Sequence, residues 1–524
     1  MQGYLSLVLH AHLPFVRHPE HERFLEESWL FEAITETYIP LLQVMEAWER
    51  DGMKTRLTLT LTPTLCSMLL DPLLQDRYSR HLEGLIDLAE REVHRTHWDR
   101  AFHSLAQMYH RRFLEIRDTW VSANRNLVSA FGRFQELGRL DIITSAATHA
   151  LLPLLAGHPQ SIRAQILVAR DHYRSCFGRD PQGIWLPECA YVDGVETVLQ
   201  EANIRWFITD THGILHAKPR PRYGVFAPLF TPNGIAAFGR DLDSAKQVWS
   251  KQEGYPGDAH YRDFYRDIGF DLDFDYVKST LPTPDHRGFT GIKYYRITSD
   301  SDEKKVYHRL EALQLAAEHA GHFLDARISQ IQHLSGIMDR PPLVLSPYDA
   351  ELFGHWWYEG PEFLDYFVRK TTFDQQVFEL ITPGDYLHRH PTNQVAAPSA
   401  SSWGEEGYWR AWLNETNQWI YPHLQITQEW MTQLVRVLPD PDPLQARALK
   451  QAGRELLLAQ SSDWPFILRT GTSPDYARKR VKDHLVRFIT LHDQLTRGTV
   501  NEEYLAQVEA RDNLFPAIDV RYWA

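Results

Sequence analysis

Cysteine is scarce. The 524 residues hold three, Cys66, Cys176 and Cys189, an odd number with no paired spacing. That excludes a disulfide framework and a cysteine zinc site, and it fits a reducing compartment. Positive charge is also short, with 55 Lys and Arg against 68 Asp and Glu and a formal net charge of −13. Such a surface repels phosphate backbones and anionic lipid, so no nucleic acid and no membrane is expected as a partner. No stretch approaches the roughly 18 uncharged apolar residues of a membrane span. The segment from Met1 to Leu9 lacks a basic region and is cut by His10 and His12 before a signal core forms, which predicts a cytoplasmic protein. A phosphate-binding glycine loop and a Gly-x-Ser-x-Gly elbow are both missing, which removes support for kinase, dehydrogenase and α/β-hydrolase readings. Low-complexity tracts and Pro-, Gly- or Ser-rich linkers are absent too, so the parts of the chain are expected to pack as one body.

Aromatic residues are abundant. The chain has 16 Trp, 23 Tyr and 25 Phe, 12% in all. Many of the Trp follow residue 350 among polar and acidic neighbours, a pattern that suits a sugar-binding cleft and a neutral polymer as partner. The length exceeds what one hydrophobic core fills, so a large catalytic domain with attached subdomains is expected. Short apolar segments rich in β-formers recur at Tyr4 to Leu9, Arg56 to Thr62, Asp141 to Ser145, Gly183 to Leu186, Trp206 to Thr209, Ile235 to Phe238 and Leu343 to Ser346. Helical patterns lie between most of them, the βαβ rhythm of a parallel sheet or barrel. Residues 69 to 138 carry long 3.6-residue periodicity and read as a helical insertion. Residues 241 to 300, rich in Gly, Asp and Tyr, read as a long functional loop. After about Trp409 the chain reads as a helical domain.

Two acids share one grammar, an apolar strand, a proline, then a carboxylate just beyond: Glu188 after Trp185, Leu186 and Pro187, and Asp349 after Leu343 to Tyr348. Strand-end acids on one face of a barrel converge on a single cleft. Glycosidic chemistry needs such a pair, one carboxyl protonated for the leaving oxygen and one ionised. A helix-capping or ion-pairing role for Glu188 stays open, and Glu351 rivals Asp349. The aromatics Trp185, Tyr191, Trp356 and Trp357 stand close by in sequence to restrict water. His10 and His12 flank Ala11 and point to one side of the first strand, as a metal pair, as donors to sugar hydroxyls or as structural groups. A zinc site needs a third ligand, and His149, His212 and His355 show no supporting spacing. His149 follows a strand and is expected to line the same cleft. Trp403 and Trp412 offer stacking faces for pyranose rings or core packing. Asp463 reads as a ligand or as a plain helix N-cap. Arg240 and Asp241 close a strand-like run, to pair with a catalytic acid or to form a surface turn. Arg262 falls in the expected functional loop and completes the candidate substrate-binding set.

Five blocks in order, His10 to Pro14, Asp141 to His149, Trp185 to Tyr191, Tyr348 to Gly360 and Ser401 to Gly404, resemble those of glycoside hydrolase family 57. Length, insertion and helical C-terminal part look like that family's 1,4-α-glucan branching enzymes. The resemblance implies an α/β fold, a distorted (β/α)7 barrel over 1–68 and 139–408, with the insertion at 69–138 and the helical domain at 409–524. It implies a retaining mechanism without metal or cofactor, with Glu188 as nucleophile and Asp349 as acid/base. His10, His12, His149, Trp403, Trp412 and Asp463 would line subsites for α-1,4-glucan. Branching requires a glucan 6-hydroxyl to outcompete water, which a shielding loop favours. That loop is sought at 230–238 or 241–265. A tyrosine expected on it is missing from Thr231 to Phe238, so α-amylase and 4-α-glucanotransferase activities remain alternatives, with a zinc-dependent α-mannosidase type behind them. The chain is expected to act as a monomer.

Overall fold

The structure, a computed structural model, describes residues 1–250, 254–283, 285–298 and 303–524. Seven parallel strands form a closed ring: β1 (Gly3–Ala11), β2 (Leu57–Leu61), β3 (Leu140–Ile143), β4 (Gly183–Trp185), β5 (Trp206–Thr209), β6 (Ala236–Gly239) and β7 (Leu343–Asp349). Ladders join β1 to β2, β2 to β3, β4 to β5, β5 to β6 and β7 to β1. Two looser joints complete the circuit. Thr144, just past β3, bridges in parallel to Ile184 of β4, and the Asp241 amide, past β6, donates to the Leu345 carbonyl of β7 at 2.9 Å. All nine positions of β1 are buried, as expected of a strand covered on both faces. Because the strands run parallel, their carboxyl ends share one rim, where Ala11, Trp185 and Asp349 terminate.

The sequence segments match these strands within a few residues, β7 running three residues longer than its apolar run. Between β2 and β3 lie α1 (Pro72–Arg95), α2 (Arg100–Ser122) and α3 (Leu127–Glu136). Each begins at a side-chain cap: Asp71 accepts from the Leu74 amide, Asp99 from Ala101 and Phe102, and Asn126 from Ser129. Beyond the barrel come α4 (Ile420–Val437), α5 (Pro443–Ala459), α6 (Asp463–Thr470), α7 (Pro474–Arg497) and α8 (Glu502–Arg511). α5 starts in an Asp442–Gln445 capping box and is buried from Gln451 through Ala459, which makes it the centre of the helical part. Among the described residues no helix is long and apolar enough to cross a membrane.

Two expectations change. Residues 241–300 do not form one open loop: they begin with a helix at Leu242–Trp249, and Tyr261, Ile268, Ile292 and Tyr294 are packed into the main core. The stretch 230–238 is a tight hairpin, in which Leu229–Phe230 pairs antiparallel with β6 and the Thr231 amide donates to the Ile235 carbonyl. The turn precedes β6, so it lies at the end of the barrel away from the carboxyl rim and does not cover the cleft. Of the alternative stretch 241–265, residues 251–253 lie outside the described residues.

Candidate active site

Glu188 stands one residue past Pro187 in a single 3₁₀ turn, with φ +62°. Cys189 (φ +51°) and His149 (φ +55°) share this left-handed backbone, which costs a non-glycine residue roughly 1–2 kcal/mol. Strained residues gathered at one rim mark a site that the surrounding packing enforces. The loop Ser401 to Gly404 runs against this turn: Ser401 bridges to Tyr191, and the Trp403 amide donates to the Glu188 carbonyl at 3.0 Å. The Trp403 ring N–H then donates to Glu188 Oε2 at 2.8 Å. The other oxygen, Oε1, accepts from the Ser462 hydroxyl at 3.2 Å. A Cβ on Gly404 would lie 2.3 Å from the Trp412 ring, so only glycine allows this loop to close.

The histidines form a stack beside it. His12 lies 3.8 Å from His149, centroid to centroid, and His10 lies 4.4 Å from Trp185. His10 Nε2 meets His149 Nε2 at 3.0 Å, and His149 Nδ1 meets the Ser462 hydroxyl at 2.9 Å. His12 Nδ1 reaches the Thr62 hydroxyl at 3.1 Å, and its Nε2 reaches Asp463 at 3.1 Å. Ser461 bridges to Ala150 and donates to Asp463 at 2.5 Å, so the helical part is stitched directly to the barrel rim. Asp463 is therefore no plain N-cap. It is the first residue of α6, whose N-cap is Ser462, and its carboxylate serves His12.

Asp349 ends β7 with its Cα in register with His10. Burial first, then the charges of Glu351 and Glu188, push its carboxyl from 3.8 to about 8, against His12 and Arg240. Burial also raises Glu188, from 4.5 to about 7, with the Trp403 and Ser462 hydrogen bonds and His12 opposing and Asp463 assisting. Two carboxyls pushed up to different extents allow one to lose its proton while the other keeps it. Burial would lower His12, but Asp463, Glu188 and Glu351 together outweigh it and the net shift is upward. His10 and His149 are shifted well below 6.5, by burial and then by neighbouring histidines. The centre thus favours the cationic form at His12, beside Asp463, and the neutral form at His10 and His149.

The other sequence candidates divide. Trp185 is fully buried and meets Trp403 edge-on at 5.1 Å. Arg240 bonds Asp210 at 2.6 Å and lies 5.7 Å above the Trp403 ring, so it backs the Glu188 loop. Trp412 is 1% exposed, under that loop. Asp241, expected to line the cleft, instead caps the helix Leu242–Trp249 through the Ser244 amide and holds Gln330 and Arg327. Arg262 is buried against Glu36 at 2.9 Å and over the Tyr358 ring at 3.8 Å. Trp357 is 1% exposed, packed on Tyr261 and Phe363. These three are held by the core because their pairing and stacking partners lie inside it. Sequence reasoning missed Asp210, Ser462 and Thr62, each a small polar residue at an element boundary that reads as a cap.

In the His10–His12 pair, His12 Nε2 meets Asp463 and His10 Nε2 meets His149. Among the described residues a metal-like trio, Glu455, His484 and Asp512, lies in the helical part. There Arg487 sits 2.6 Å from Asp512 and Arg480 3.0 Å from His484, supplying the positive charge that a cation would bring.

The profile of glycosyl hydrolase family 57 matches residues 6–398. The chain belongs to this family. A second profile, the C-terminal part of 1,4-α-glucan branching enzymes, matches residues 423–523. This family 57 chain is 32% identical to a 1,4-α-glucan branching enzyme of Thermococcus kodakarensis, over 99% of its own length and 78% of that protein. Among solved structures it resembles the α-amylase AmyC of Thermotoga maritima, with 44% identity, TM-score 0.94 and coverage of 100% and 99%. It also resembles the family 57 branching enzyme of Pyrococcus horikoshii, with 32% identity, TM-score 0.90 and coverage of 100% and 97%.

Proposed function

We propose that this protein is a retaining 1,4-α-glucan branching enzyme, with Glu188 as nucleophile and Asp349 as acid/base. In the first step Asp349 gives its proton to the glycosidic oxygen while ionised Glu188 attacks the anomeric carbon, which breaks the α-1,4 bond and forms a glycosyl ester. Esterification removes the Glu188 charge, which is one of the groups holding the proton on Asp349. Asp349 is thereby readied as base. In the second step it takes the proton of a glucan 6-hydroxyl, whose oxygen displaces Glu188 and forms the α-1,6 branch. Trp403 and Ser462 orient the Glu188 carboxylate through their two hydrogen bonds. His10, His12, His149 and Asp463 form the wall of the sugar subsite beside Glu188, with Trp185, Arg240 and Trp412 supporting them.

The observation that carries this reading is the stitching of the helical part to the catalytic rim. Ser462 and Asp463 reach Glu188 and His12 from the segment whose relatives are branching-enzyme C-terminal parts. One chain completes the cluster, which supports a monomer, and three free cysteines support a cytoplasmic setting. We assign residues 1–68 and 139–408 to the barrel, 69–138 to the insertion and 409–524 to the helical domain. A hydrolytic reading has its own support, the 44% identity to an α-amylase and the closed hairpin at 230–238. Amylose incubated with the enzyme separates the two. Proton NMR is expected to show growing α-1,6 anomeric signal with little new reducing sugar. Rapid release of reducing ends without branch points favours the amylase, and longer or cyclic chains without α-1,6 signal favour a 4-α-glucanotransferase.

A further inference from the structure

Glu351 has no part in the chemistry just described, yet like Glu188 it is tied down by two hydrogen bonds. A single oxygen, Oε1, accepts two hydrogen bonds, from the His12 amide at 3.1 Å and from the Tyr38 hydroxyl at 2.5 Å. Tyr38 is 1% exposed and closes a five-residue π-helical turn, Ile34–Tyr38, set between two α-helices. Such turns are rare and gather at functional sites. Gly354 fits against this turn with φ +115°, and a Cβ there would lie 1.8 Å from the Glu36 carbonyl oxygen. Glu36 in turn holds His355 at 2.7 Å. The segment 351–355 is therefore clamped to 36–38 at three points, and the Glu351 carboxylate is held in place two residues beyond Asp349.

We propose that Glu351, held by Tyr38, is a positioning residue for this reaction, its carboxylate set two residues beyond Asp349 to bias that acid and its Oε1 anchoring the His12 backbone opposite Asp463. The inference rests on Asp349 being the acid/base. Charged groups around Asp349 come from every neighbouring element: Glu351 and Glu188 favour its protonated form, while His12 and Arg240 oppose them. Burial raises the Glu351 carboxyl above its ordinary value, with the Tyr38 hydroxyl and His12 opposing and favouring its ionised form. Without Glu351 the balance at Asp349 tips toward the carboxylate, and the acid is spent at a lower pH.

The test is the pH profile of kcat/KM on amylose for Glu351→Gln, Tyr38→Phe and Asp349→Asn beside the wild type, with thermal unfolding as a check on folding. The introduced glutamine keeps a carbonyl acceptor for both donors, so E351Q removes charge and leaves the clamp. The basic limb of E351Q is expected to move down by about one pH unit, the size of a typical charge-dependent shift, while the acid limb set by Glu188 stays. Y38F is expected to move the basic limb the same way by less, and Glu351→Asp to restore it in part. An E351Q basic limb that coincides with the wild type's overturns the inference, as does a uniform loss equal to that of D349N, which would make Glu351 itself the acid. Full activity in D349N is a separate result and sinks the reading of Asp349 itself.

Discussion

Replacing Glu188 by glutamine should abolish transfer and, above neutral pH, make the protein more stable. In the native state the Glu188 carboxyl ionises only near pH 7, whereas its ordinary value is 4.5. Between those two values the native protein holds a proton that the unfolded chain has released, so stability falls as pH rises through the window and levels off above it. The span amounts to about 3 kcal/mol lost by the wild type at pH 8 and almost nothing at pH 4.5. The glutamine side chain carries no charge at either pH and fits the site with its amide turned, the oxygen toward the Trp403 N–H and the nitrogen toward the Ser462 hydroxyl. For a chain of this length the denaturation entropy is about 1.1 kcal/mol/K, so the gain at pH 8 corresponds to about 3 °C in Tm. Differential scanning calorimetry of both proteins from pH 4.5 to 8.5 reads it directly. Two curves that stay parallel across this range, or a wild type that is the more stable at pH 8.5, would refute the reasoning.

Two further outcomes follow from the same electrostatics. The kcat/KM profile should be a bell, rising near pH 7 as Glu188 loses its proton and falling near pH 8 as Asp349 loses its own, the two limbs belonging to the coupled pair; a flat profile from 5 to 9 would contradict it. Trp403→Phe removes the N–H that favours ionised Glu188, so the acid limb should move upward by about one pH unit, with kcat/KM near pH 6 falling about tenfold. Unchanged limbs in W403F would show that this hydrogen bond does not tune Glu188.

Most barrel strands were readable because they are buried on both faces and appear as short runs of apolar and β-branched residues between polar turns, as at Trp206 to Thr209. The hairpin at 230–238 also had its signal, the turn dipeptide Asn233-Gly234. Asp241 carried one as well: an acid three residues before Ser244 caps a helix as readily as it binds sugar. The site itself was only half legible. Periodicity gives no reason for His12 to meet Asp463, 451 positions away, and the family resemblance set both at subsites without pairing them. Ser462, Thr62 and Asp210 stayed hidden because a small polar residue at the end of an element looks like a cap whatever it touches. Tyr38 was hidden more deeply, since nothing in Ile34 to Tyr38 distinguishes a π-helical turn from the α-helices on either side. Arg262 and Trp357 misled for the opposite reason. Charge and aromaticity in a segment near the cleft do not say which way a side chain faces, and both point into the core.

The central claim is a glycosyl ester on Glu188, and its most direct measurement is mass spectrometry of the protein after reaction with a fluorinated glucosyl fluoride that forms the ester faster than it is resolved. The account predicts one added sugar per chain, mapped by fragmentation to Glu188 within the peptide spanning Trp185 to Tyr191, and absent from E188Q. No adduct at all, or an adduct on Asp349 or Glu351, would contradict it.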